Sequence, residues 1–147
     1  MANQKPQNLQ NHVRVVPPYH MFVFGVFLIN LGTSIYRLVK FGYSWDALVN
    51  LLLAVALVVL FFYARIFVLT VQNRVIRLEM RLRLAELLPV DLRPRIPEFT
   101  VDQLVSLRFA CDAELPALAR KVLDEKLNDR KAIKQLVKDW QADYLRA

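Results

Sequence analysis

The sequence has little cysteine, glycine or histidine, the residues around which many catalytic and metal sites are built. Its 147 residues include one cysteine, three glycines and two histidines. It has no glycine-rich phosphate loop, no cysteine pair and no grouping of serine, histidine and aspartate. The half of the chain that holds Cys111 has no histidine to act as a base for the thiol. We therefore predict that the protein is not an enzyme and holds no metal and no cofactor.

His12 and His20 are the remaining candidates for cofactor binding. They stand before and at the start of the first apolar run, where an imidazole can ligate a haem or a chlorophyll at the membrane edge. The alternative is that each histidine makes ordinary hydrogen bonds there, and we favour this alternative.

Apolar residues, in contrast, are abundant, at 56% hydrophobic content, against roughly 45–50% in soluble domains. They are concentrated in two runs, at about residues 19–39 and 46–70, and the second has no charge from Ala47 to Ala64. Each run is long enough to cross a bilayer core as a helix. The length of the first run argues against a cleaved signal peptide. We predict a membrane part that covers residues 1–88.

The positive charges predict the orientation of these spans and their lipid contacts. A cluster of arginines follows the second run: Arg65, Arg74, Arg77, Arg81 and Arg83. Lysine and arginine mark the cytoplasmic side, so two spans place both termini in the cytoplasm. We expect this cluster, together with Arg14, to contact lipid headgroups.

The net charge of +7 is unevenly distributed along the chain. Residues 1–88 carry +6 of it and residues 89–147 carry +1. The basic excess is therefore a property of the membrane part, and the C-terminal part lacks the basic face of a nucleic-acid-binding domain.

One long helix is predicted to leave the membrane without a break. From Asp46 to Leu88 there is no glycine or proline, and 43 helical residues extend about 64 Å, of which a bilayer core takes about 30 Å. The predicted cytoplasmic part carries an apolar seam with the 4-3-4-3 spacing of a coiled coil: Val71, Val75, Leu78, Leu82 and Ala85. Neighbouring apolar residues widen the stripe: Ile76, Leu84, Leu87 and Leu88. Two alternatives stay open, packing on the chain's own C-terminal helices and pairing between chains.

Small residues mark the predicted contact between the two spans. Gly25 and Gly32 lie seven residues apart on the first span, as do Ala47 and Ala54 on the second, and Gly32 and Ala54 fall at similar depths in an antiparallel hairpin. Small side chains permit close approach of helix backbones in lipid. Thr33 or Ser34 is then positioned to bond Asn50 across the pair, as interhelical glue rather than as an ion path.

After residue 88 the sequence becomes mixed and polar. Three prolines predict an extended linker over residues 89–99. Residues 100–147 predict a tail of three short helices, the first of which begins with a capping box from Thr100 to Gln103. The whole chain is thus predicted to be all-α.

The last predicted helix has a cap and an apolar stripe. Asn128 or Asp129 is positioned to cap it, and the stripe runs from Ile133 through Trp140 to Tyr144. We interpret Trp140 and Tyr144 as core residues and not as a binding platform.

Three stretches resemble a family of small bacterial two-span membrane proteins with no assigned function. They are "NHVRVVPPYH", "ARIFVLTVQNRVIRLEMRLRLAELLP" and the ending that starts at "LRFACDAELP". The resemblance implies a hairpin with a helical cytoplasmic tail in a bacterial inner membrane and brings no catalytic residues. It also implies a motif that includes Asn11, His12, Arg14, Pro17 and His20.

Two functions fit these patterns. The first is a non-catalytic accessory or scaffold protein of the membrane, with lipid and protein partners, either self-associating or part of a larger complex. The alternative is a membrane-tethered regulator whose tail binds DNA as a helix-turn-helix. The mixed charge of the last helix disfavours the regulator.

Overall fold

The computed structural model describes residues 8–9 and 16–143, and this part of the chain is all-helical, as predicted. The elements are a π-helical segment Pro18–Val23, α1 Phe24–Phe41, α2 Trp45–Leu87, a 3-10 helix Arg93–Glu98, α3 Val101–Leu107, α4 Leu115–Asp124 and α5 Arg130–Leu136. Among the described residues no strand is present, and Ala110 and Trp140 form an isolated antiparallel bridge. Two helices, Pro18–Phe41 and Trp45–Leu87, are long and apolar enough to cross a membrane.

The chain divides into two compact units, residues 16–69 and residues 70–143. The predicted boundary at residue 88 differs from this division, because the last part of α2 packs into the core of the second unit. Ile76, Met80, Leu84 and Leu88 all belong to that core.

The first unit is a helical hairpin with a short turn between α1 and α2. Gly42 ends α1 with a φ of 85°, a backbone conformation that glycine adopts without strain. The hydroxyl of Ser44 accepts a hydrogen bond of 3.1 Å from the backbone N–H of Ala47, so Ser44 is the N-cap of α2. From Trp45 to Leu87 the helix is unbroken, as predicted.

Aromatic residues, and not the predicted glycines, make the contact within the hairpin. The hydroxyl of Tyr19 donates to the carbonyl of Phe61 at 2.6 Å, and the two rings stack with centroids 4.4 Å apart. Ala54 is buried, as expected. A Cβ at Gly25 or Gly32 would meet no atom within 4 Å, so neither glycine is a point of close backbone contact.

The second unit is built around one apolar core. It joins the last turns of α2 to the helices that follow, through the largest fully buried side chains: Leu84, Leu88, Leu104, Leu107, Phe109, Leu115, Val122 and Ile133. Burial of this kind is the main stabilising term of a small helical unit.

The predicted linker over residues 89–99 is a folded part of this unit and not an extended segment. Its prolines are compatible with the 3-10 helix Arg93–Glu98, and Leu92 and Phe99 on either side are buried in the core. Arg95 also bonds the carboxylate of Asp124 at 2.8 Å. The apolar side chains decide the conformation here, because their burial outweighs the extended tendency of proline-rich sequence.

The capping predictions for the tail helices are confirmed. Thr100 and Gln103 form the capping box of α3, and the side chain of Asp129 accepts bonds from the backbone N–H groups of Lys131 and Ala132 at the start of α5. α4 begins after Glu114 without a side-chain cap.

The predicted helical stripe through Trp140 is wrong, because α5 ends at Leu136. Trp140 lies on extended chain, where it pairs with Ala110, and its ring packs on Phe109 with centroids 4.8 Å apart. It is partly buried against the core, so its predicted packing role does not need the helix. Tyr144 lies outside the described residues.

Candidate interaction surfaces

The last part of α2 has two apolar faces on opposite sides. At about 100° of rotation per residue, the predicted seam of Val71, Val75, Leu78, Leu82 and Ala85 lies roughly opposite the face of Ile76, Met80, Leu84 and Leu88. The structure buries only the second face. The four large seam side chains are between 49% and 62% exposed, whereas Leu84 is 0% exposed and Met80 is 3% exposed.

This difference shows which residues of the stripe the chain's own helices cover. The chain's own C-terminal helices cover the residues that were predicted only to widen it, Ile76, Leu84 and Leu88, together with Met80. The seam itself is left as an exposed apolar stripe, and such stripes are typical of interaction sites.

Arg83 fixes the C-terminal helices on the buried side of α2. Its guanidinium donates to the carbonyls of Arg108 at 3.3 Å and Ala110 at 2.6 Å, and to a carboxylate oxygen of Asp112 at 2.8 Å. The two carbonyls lie at the C-terminal end of α3, where backbone acceptors lack helical partners and a cation is favourable. We predicted a lipid contact for Arg83, but its side chain is committed to these bonds within the protein.

Other arginines of the predicted lipid-facing cluster differ from Arg83. Arg74 and Arg77 are exposed, and Arg65 and Arg81 are half-buried. Within the described part of the chain, the buried Nε of Arg81 has no hydrogen-bond partner. Arg14 lies outside the described residues.

The polar residues of the hairpin line a cleft of about 330 Å³ near the turn, with α1 contributing Asn30, Thr33, Ser34 and Arg37. Its other lining residues are Phe41, Gly42, Ser44, Asp46, Ala47 and Asn50.

Thr33 and Asn50 do not form the predicted hydrogen bond between the two helices. The Thr33 hydroxyl donates to the carbonyl of Asn30 at 3.0 Å, and the Asn50 amide donates to the carbonyl of Asp46 at 2.8 Å. Both bonds stay within one helix.

His20 takes part in the start of the first helix. Its Nδ1 accepts a hydrogen bond from the backbone N–H of Val16 at 3.1 Å, and its ring meets the ring of Tyr19 edge-on at 5.1 Å. These contacts match the hydrogen-bonding interpretation of this histidine. His12 lies outside the described residues. Across residues 8–9 and 16–143, no group of three or more histidine, cysteine or acidic side chains is close enough to hold a metal ion.

The whole chain, residues 1–147, matches one protein family. The chain belongs to DUF6526, a family of unknown function. The predicted resemblance to a family without an assigned function is thereby confirmed. Comparison of this DUF6526 member with curated proteins found no match, and comparison with solved structures found none.

Several residues that matter in this DUF6526 chain were missed from the sequence. Met80 belongs with Ile76 and Leu84 at intervals of four, a spacing that was visible. The contact between Tyr19 and Phe61 has no signal in the sequence, because it joins two aromatic residues among many. Arg83 was hidden within a cluster of arginines whose common explanation was lipid.

Proposed function

We propose that this protein is a non-catalytic accessory or scaffold subunit of a bacterial inner membrane, which it spans twice with both termini in the cytoplasm. The observation that supports this proposal best is the exposed seam on α2, beside a face of the same helix that the protein covers with its own core. If α2 contacted only water or lipid, there would be no reason for the C-terminal helices to cover one of its apolar faces and leave the other exposed.

The surface of the hairpin supports the membrane assignment. Its large apolar side chains point outward in numbers that water does not favour, among them Phe22, Ile29, Leu52, Leu60 and Phe67. In a bilayer these side chains contact lipid tails, which are also apolar, so their exposure carries no free-energy cost.

The ion pairs of the C-terminal unit favour the scaffold over the DNA-binding regulator. Arg95 pairs with Asp124, and Arg120 pairs with Asp91. Because acidic groups of the protein itself occupy these arginines, their charge is less available for phosphate contacts. α5, the helix that would enter a groove, has only seven residues.

The topology is tested by labelling single cysteines in intact cells, in a Cys111→Ser background. We expect Gln4→Cys and Ala147→Cys to resist an impermeant thiol reagent and Tyr43→Cys to react. Tyr43 replaces the neighbouring glycine for this purpose because it is exposed and carries a side chain without strain. Reaction at Ala147→Cys without reaction at Tyr43→Cys would show the reverse orientation.

The accessory role is tested by recovery of the tagged full-length protein from native membranes in mild detergent, after chemical cross-linking. Mass spectrometry should find it with stoichiometric protein partners, either other membrane proteins or further copies. Recovery as a lone monomer would contradict the proposal.

A further inference from the structure

The seam on α2 is flanked by charges of opposite sign on its two sides. In a heptad assignment, Val75 and Leu82 take the a positions, and Val71, Leu78 and Ala85 take the d positions. The g positions before each a residue are then Arg74 and Arg81. The e positions after Leu78 and Ala85 are Glu79 and Glu86, and the e position after Val71 is Gln72. Residues at e and g form the interhelical ion pairs that determine partner choice and orientation in coiled coils.

The four flanking charges form no ion pair within the described part of the chain. None of the ion pairs there involves Arg74, Arg81, Glu79 or Glu86, whereas Arg83, Arg95, Arg120 and Arg130 all pair with acids. All four flanking charges border the exposed seam. The buried Nε of Arg81, which has no hydrogen-bond partner in this part of the chain, belongs to the same border.

The pattern is complementary to itself in one orientation only. When two parallel helices pair in register, a g residue faces the e residue of the following heptad in the other helix. Arg74 then meets Glu79, and Arg81 meets Glu86, in both directions. In an antiparallel pair, g faces g and e faces e, so that arginine meets arginine and glutamate meets glutamate.

We propose that the seam binds a second copy of this chain as a short parallel coiled coil, with Arg74–Glu79 and Arg81–Glu86 ion pairs between the copies. This inference rests on the proposed scaffold role and names the partner. The helices that cover Leu84 and Met80 leave the opposite side of α2 free for the second copy. Two heptads are few for free helices, but copies held in one membrane have a raised effective concentration.

The orientation is tested by disulfide cross-linking of the full-length protein in membranes, with Cys111→Ser as background. In a parallel pair, Ala85→Cys meets itself and should cross-link, as should Val71→Cys. Arg77→Cys, which is exposed but off the seam, is the matched control and should not. Cross-linking only between a and d positions, as between Val75→Cys and Ala85→Cys chains, would indicate an antiparallel pair and overturn the proposal.

The charges are tested by two double variants carrying Ala85→Cys. The acidic variant is Arg74→Glu with Arg81→Glu, and the basic variant is Glu79→Arg with Glu86→Arg. Each should lose self-cross-linking by about tenfold or more, since every flanking contact becomes repulsive. Coexpressed, the two variants should cross-link to each other, because all four contacts are attractive again. This recovery cannot come from misfolded chains.

Arg77→Glu makes the same charge change off the seam and should leave cross-linking unchanged. Self-cross-linking that persists in both double variants would overturn the pairing mode. If Ala85→Cys and Val71→Cys fail to cross-link in an otherwise unchanged chain, the pairing mode is overturned too. Recovery of other membrane proteins with the chain would still support the accessory role. A lone monomer in native membranes would contradict both.

Discussion

The hairpin of residues 16–69 and the helical unit of residues 70–143 use apolar side chains in opposite ways. In the hairpin, burial is confined to a few positions such as Ala54 and Phe61, and large side chains such as Ile29 and Leu52 face outward. In the second unit, apolar side chains converge on a core, and arginines and acids pair on its surface. One helix, α2, therefore meets two different packing requirements along its length, since it belongs to both units.

The seam is the exception within the second unit, because its apolar side chains are exposed. Two leucines of α2 test this difference in packing. Leu84 is fully buried, and Leu82, two residues away, is 61% exposed. Leu84→Ala should lower the free energy of unfolding of the C-terminal unit by about 2–5 kcal/mol, as in other cores. Leu82→Ala should change it by about 0.5 kcal/mol or less. Urea unfolding of the monomeric protein in detergent measures both, and equal losses would mean that both faces are packed within the chain.

Arg83 gives the next largest effect. Replacement by glutamine removes charged donors from the carbonyls of Arg108 and Ala110, which should cost about 1.5–3 kcal/mol. Arg77→Gln, an exposed arginine of the same helix, is the control and should cost about 0.5 kcal/mol or less. Hydrogen exchange at the C-terminal end of α3 provides a local measurement. If both substitutions leave exchange unchanged, the contact of Arg83 does not stabilise the unit.

A smaller effect is expected in the hairpin, where the two glycines of α1 face open space. Gly32→Ala should preserve the contact between α1 and α2 and stabilise the helix by about 0.5–1 kcal/mol. Proton NMR contacts between the rings of Phe24 and Phe61, whose centroids lie 4.9 Å apart, monitor this contact. Loss of these contacts on Gly32→Ala would show that the backbones approach each other there after all.

The smallest effect concerns the surface pair of Asp91 and Arg120. The hydrogen bond from Arg120, at 2.7 Å, holds the pKa of Asp91 below its ordinary value. A depressed carboxyl pKa contributes stability above about pH 3.9, the unfolded value, and this is lost as the pH falls through the folded pKa. Titration by NMR should show the Asp91 pKa rising in Arg120→Gln. An unchanged pKa would mean that the pair does not persist in solution.

Local signals in the sequence predicted most of the helix ends. Thr100 and Asp129 act as caps, as their positions before apolar-periodic segments indicated. The continuity of α2 followed from the lack of glycine and proline. These predictions succeeded because the interactions join residues within one turn of each other.

Features that depend on distant contacts were not predictable in this way. The end of α5 has no local breaker. There, Glu114 accepts bonds from the backbone N–H groups of Lys138 and Asp139, which draws the chain off the helix. Periodicity identified the seam and assigned Ile76, Leu84 and Leu88 to its border. It could not show that the C-terminal helices cover those residues and not the seam, because both sets have helical spacing.

Four side-chain bonds that join distant parts of residues 70–143 share one feature with a consequence for synthesis. Arg83 with Asp112, Arg95 with Asp124, Arg120 with Asp91 and Gln103 with Leu127 link residues 24 to 29 positions apart. Loops of this length close at modest entropic cost, and helical units with such short separations fold in milliseconds or less. A ribosome adds only about 5–20 residues per second. We therefore expect this unit to fold in less time than a ribosome needs to add one residue.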